Sequence, residues 1–112
     1  MDAERKDLAT ALLNAIAGQH SGTRPIPEAL AQAMELINLL PEDISIPEFA
    51  IEDDGSIAFE WLASQKQMIS MSVNGTEQIA FAFLHGGLHG HDVAHFGPNG
   101  IPEVIVEHIR SL

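Results

Sequence analysis

The apolar residues of this chain change from a helical to a strand period near Ile46, and that change fixes the class of fold. Before it they recur every three to four residues, and after it every second residue. A helical period followed by a strand period within 112 residues describes one α+β domain, 1–112, rather than alternating βαβ units.

The helical part divides in two. From about Ala3 to Ala17, Leu8, Leu12, Ala15 and Ile16 repeat at helical spacing, with Asp2 and Glu4 at the end where the helix dipole favours negative charge. Gly18 is the expected stop, and Gln19 to Arg24 reads as a polar loop. A second helix starts near Pro27, whose missing N–H is not needed in a first turn. Its apolar stripe is Leu30, Ala33, Met34, Ile37 and Leu40, and Pro41-Glu42-Asp43 ends it.

The alternating part reads as four strands. Phe49 and Ile51 alternate with Glu48 and Glu52, and Asp53-Asp54-Gly55-Ser56 makes a turn. Ile57, Phe59 and Trp61 follow, then Ile69, Met71 and Val73. Asn74-Gly75 carries the composition of a type I′ hairpin turn and leads into Ile79, Phe81 and Phe83. Short strands joined by short turns predict an antiparallel meander. Its aromatic and aliphatic face must be covered by helices. Trp61 belongs to that face and is expected to anchor the core. On the other face Ser70 and Ser72 read as solvated, while Ala80, Ala82 and Leu84 predict partial burial or a partner. The stretch from His85 to Gly100 is rich in Gly and His and reads as irregular, with a turn at Pro98-Asn99-Gly100. Ile101 to Leu112 reads as a closing helix, with Pro102 and Glu103 in its first turn and Arg110 in its last. The expected architecture is two N-terminal helices, a four-stranded antiparallel meander and a C-terminal helix, packed on one sheet face.

The stretch Asp54-Gly55-Ser56-Ile57-Ala58-Phe59-Glu60-Trp61, preceded by Pro47, resembles a turn-strand element of a loose group of small, mostly uncharacterised bacterial proteins. The element has the form D-G-small-I/V-x-L/F-E-W, and a second hairpin follows it there as Asn74-Gly75 does here. The resemblance covers Pro47 to Phe83 and implies an α+β fold. It brings no catalytic residues, and the His-rich segment lies outside its pattern.

Composition narrows the functions open to the chain. Five Lys and Arg stand against 16 Asp and Glu, a net charge of −11. Such a surface repels phosphate backbones and anionic lipid, so neither nucleic acid nor membrane is expected as a partner. The basic residues Arg5, Lys6, Arg24, Lys66 and Arg110 form no stripe. The chain has no cysteine, which excludes disulfides, thiolate nucleophiles and zinc-thiolate sites and suits a cytoplasmic setting. No signal peptide is expected from the mixed charge of Met1 to Asp7.

Chemistry concentrates in one place. His85, His89, His91 and His95 are four of the six histidines, with Asp92 among them. Neutral imidazoles at such spacings are candidate ligands for Zn²⁺, Ni²⁺ or Cu²⁺. If Gly90 continues a strand, His89 and His91 share a face. The alternative is a Gly-rich surface loop with solvated histidines. No H-E-x-x-H, H-x-H-x-D-H or G-x-S-x-G pattern is complete, so no catalytic residue is assigned. The leading expectation is a non-enzymatic cytoplasmic protein that acts through protein–protein contact as a homodimer. A histidine-based divalent-metal binder is the second, and a hydrolase the third.

Overall fold

A computed structural model describes residues 3–17, 24–96 and 100–112. The order is α1 (Ala3–Ala17), α2 (Pro27–Leu39), β1 (Glu48–Ile51), β2 (Ile57–Ser64), β3 (Gln67–Val73), β4 (Gln78–His85), β5 (Leu88–His95) and α3 (Glu103–Arg110). The strands form one antiparallel sheet in the order β1-β2-β3-β4-β5, a strict meander. The α+β class and the helices on one face match the sequence expectation. Gly18, most of the first loop and Pro98-Asn99 of the last turn lie outside the described residues.

The sheet has five strands, not four. The segment read as irregular from His85 onward turns at Gly86-Gly87 and returns as β5, with His85 opposite Leu88. Histidine and glycine give a weak alternation signal, so the strand is set by its partner rather than by its own composition. Gly90 lies opposite Phe83, and a Cβ there would come within 2.8 Å of Cζ of that ring. The missing side chain lets Phe83 lie across β5. The loop at Asn74-Gly75 is also not a type I′ turn. Only glycines among the described residues have positive φ, so Asn74 does not, and four residues separate Val73 from Gln78. Asn74 instead closes the loop through its side chain, whose Oδ1 accepts from the N–H and Oγ1 of Thr76 at 3.1 and 2.7 Å.

Alternation decides what is buried. Ile57, Phe59, Trp61, Ile69, Met71, Val73, Ile79 and Phe81 are buried beneath the helices. Leu8 and Leu12 of α1, Ala33, Leu36 and Ile37 of α2, and Ile105 and Ile109 of α3 complete this core. Trp61 is 2% exposed, as expected of a core anchor, and its Nε1 donates to the Ser45 carbonyl at 2.8 Å.

Polar contacts tie the first two helices to their surroundings. Arg5 of α1 is buried, and its guanidinium donates to the carbonyls of Leu40 (3.2 Å) and Pro41 at the end of α2. A cation there meets the negative end of the helix dipole and fills orphan carbonyls together. Gln32 of α2 accepts from Gly75 N–H at 2.8 Å and donates to Thr76 O at 2.6 Å, which clamps the β3–β4 loop against the helix. Among the described residues no helix is long and apolar enough to cross a membrane.

Candidate functional site

The helices cover one face of the sheet and leave the other open. Its residues follow from the register, one cross-strand row at a time. The first row is Leu62–Met68–Leu84–His89, the second Glu48–Glu60–Ser70–Ala82–His91, and the third Ala50–Ala58–Ser72–Ala80–Val93. The middle of the face is therefore floored by alanine and serine, with larger side chains toward the outer strands. Small residues between larger ones leave a shallow trough of about 720 Å³. Val93 stands exposed at its edge, at 53%, and Leu62 on the neighbouring first row, at 62%.

The trough is asymmetric in charge. Glu48 and Glu60 are direct cross-strand partners at its β1–β2 side. Like charges placed opposite one another destabilise a strand pair, so the arrangement costs the isolated fold something. The β5 side presents His91 and no carboxylate on the same row. In the floor, Ser72 Oγ donates to Ser56 Oγ at 3.2 Å, and Ser56 Oγ donates to Asp54 Oδ1 at 2.6 Å. The Ser56 hydroxyl, with its N–H, holds the Asp54 carboxyl below the usual carboxylate range. This chain of hydroxyls ends on the Asp54 carboxylate, whose lowered pKa makes it a weak base toward the serine hydroxyls.

The four histidines picked out by the sequence do not converge. His89, His91 and His95 line the open face of β5, as a strand through Gly90 requires, and His85 points to the helix side. His95 Nε2 lies 3.4 Å from Glu77 Oε2. Among the described residues no group of three or more His, Cys, Asp or Glu side chains is placed to hold a metal ion.

His85 belongs to a different cluster. Its Nδ1 is 3.0 Å from Gln67 Oε1, and its Nε2 is 2.9 Å from His108 Nδ1. His108 comes from α3 and stacks on Phe83, with ring centroids 4.3 Å apart. Burial pushes its pKa below the ordinary histidine value, and the neighbouring His85 adds to the shift. A proton on His85 Nδ1, donated to Gln67, would leave Nε2 to accept from His108. The cluster fastens the last turn of α3 to the ends of β3 and β4. Nearby, Arg110 grips the Asp43 carboxylate at 2.9 and 3.1 Å and holds its pKa below the usual range.

No protein-family model matches the chain, and no curated protein or solved structure matches it either. Function therefore rests on the geometry of the open face.

The sequence missed His108 and the paired glutamates. His108 falls three residues after Ile105, on the buried stripe of α3, and that spacing was the available signal. Glu48 and Glu60 show their common face by alternation, but their pairing needs the register.

Proposed function

We propose that this protein is a non-enzymatic protein-contact module that works through the open face of its sheet, with a second copy of the chain as its first partner. The observation that carries the reading is the floor of that face. Alanine and serine across three central strands, with exposed Leu62 and Val93 beside them, form a surface onto which another protein surface can settle closely. The Ser72 and Ser56 hydroxyls are engaged in a chain that ends on the Asp54 carboxylate, which favours contact over catalysis. Of the five cationic side chains, Arg5 is buried and Arg110 is engaged by Asp43, which weighs against nucleic acid as the partner. A cytoplasmic setting fits a chain without cysteine. The test is Ala82→Arg, which places a long charged side chain in the middle of the trough. Light scattering at micromolar concentration is expected to give twice the chain mass for the wild type and a monomer for the variant. An unchanged mass for Ala82→Arg would refute the assignment to this face.

A second reading, divalent-metal binding, draws on one observation: β5 places His89 and His91 on the same face. Two neutral imidazoles could take Zn²⁺, Ni²⁺ or Cu²⁺, with protons competing against the metal for the ring nitrogens. A stoichiometric rise in melting temperature with Zn²⁺, abolished by replacing both histidines with Ala, would support it. Its absence would dismiss it.

A further inference from the structure

The order of residues along the central row points to how two copies would meet. We propose that two copies of this chain pack open face to open face about a two-fold axis that runs parallel to the strands over β3. The carboxylates of Glu48 and Glu60 on each copy then face His91 of the other. The inference rests on the contact reading above and adds the arrangement of the partner.

Three rows decide the direction of the axis. An axis along β3 exchanges the two sides of the sheet, so β1 and β2 of one copy lie over β5 and β4 of the other. On the second row the acidic end, Glu48–Glu60, then meets the histidine end, Ala82–His91. Imidazole N–H donates to carboxylate when neutral, and the pair becomes an ion pair when His91 is protonated. On the first row Leu62 and Leu84 exchange places and Met68 meets its own copy, so apolar meets apolar along its centre. On the third row small side chains meet at the centre and the larger Val93 meets Ala50. An axis across the strands would instead lay β1 over β1, bringing four carboxylates of Glu48 and Glu60 together. Juxtaposed like charges repel across an interface and suppress that mode of association, so this alternative loses.

The size of the face is adequate. Five strands about 4.8 Å apart and roughly 20 Å of strand length make a face of about 24 by 20 Å. Two such faces bury on the order of 1,000 Å², the lower bound for a specific interface. The dimer is therefore expected to be modest, in the micromolar range. Such a two-sheet arrangement is an ordinary way for sheets to pack.

The charge order gives a rescue experiment, with Kd measured by sedimentation at neutral pH. His91→Glu is expected to raise Kd by about tenfold or more, because carboxylates then face carboxylates. Adding Glu48→Lys, at the residue that lies directly over position 91 of the other copy, to His91→Glu is expected to restore most of the lost affinity. Both positions lie on the open face, and a melting curve for each variant checks that the fold is intact. A second measurement reads the axis itself. The chain has no cysteine, so Lys66→Cys supplies a unique thiol in the exposed β2–β3 turn, away from the trough. With the axis along β3 the two copies of that turn lie at the same end, and a short bismaleimide links them into a covalent dimer. With the axis across the strands they lie about 23 Å apart, the length of β3, and no link forms. A dimer without rescue or without the link would overturn this arrangement while leaving self-association in place. A wild type that stays monomeric on concentration would overturn both.

Discussion

Replacing Gly75 with Ala isolates the cost of bringing a helix against a hairpin loop. Gly75 has φ +90°, and a Cβ there would sit 2.5 Å from Glu28 Cβ and 3.0 Å from the Glu28 carbonyl carbon. Two penalties add. A left-handed conformation costs a non-glycine residue about 1–2 kcal/mol. Overlap with α2 costs about 1–3 kcal/mol more, since helix backbone yields less readily than a side chain. Gly86 supplies the control, because it has φ +63° and its Cβ would meet nothing within 4 Å. Gly86→Ala therefore carries the strain alone. Both substitutions also lower the entropy of the unfolded chain by a similar amount, which cancels in the comparison. Urea unfolding of the two variants should place Gly75→Ala below Gly86→Ala by about 1–3 kcal/mol, with unchanged m-values. Equal losses would show that α2 is not held against the loop as the Gln32 bonds require, and the reasoning would fail.

Three further outcomes follow from the buried polar contacts. Arg5→Met keeps much of the apolar stem but removes the hydrogen bonds to Leu40 and Pro41, and should cost about 1.5–3 kcal/mol in chemical denaturation. Trp61→Phe leaves the Ser45 carbonyl without its donor and a gap in the core, and should lower stability by about 1–3 kcal/mol by circular dichroism, the variant lacking the only tryptophan. Burial holds the folded pKa of His108 below its unfolded value, with His85 of β4 adding to the shift and Glu107 of α3 opposing it. Its unfolded form binds the proton more readily, so stability is full above about pH 6.5 and falls as pH drops through and below that value. His108→Gln should flatten that part of the pH–stability curve, and an unchanged slope would show that His108 is not its source.

The parts of the fold that were legible in the sequence are those where burial repeats at a fixed period. Leu8 and Leu12 mark α1, Pro27 marks the start of α2, and Ile57, Phe59 and Trp61 mark β2, because each faces the same core. β5 was not legible. Its helix-side positions include Gly90, Asp92 and Ala94, which carry little hydrophobic signal, and its place is fixed by hydrogen bonds to β4 and the ring of Phe83. The candidate site was half legible. Alternation marked Ala80, Ala82 and Leu84 as an outward face needing an explanation, and they are exposed, exposed and half-buried. The charge order across that face was hidden, because Glu48 and His91 are far apart in sequence and only four successive registers place them on one row. The histidines misled by proximity: His85 lies close in sequence to His89 but on the other face of the sheet, beside His108.

The strict succession of strands has a kinetic consequence. Every strand pairs with its neighbour in sequence, so the sheet can grow by adding one hairpin at a time. Closing each hairpin fixes only a short loop, and the entropic barrier to each addition stays small. Chains whose sheet contacts are local fold faster than those that must first join distant segments, on timescales reaching about milliseconds. The slow event should then be the arrival of α3, which must find β3 and β4 after the meander exists. Refolding should show Trp61 burial ahead of the stacking of His108 on Phe83, and β5 should gain amide protection with β4 rather than with α3.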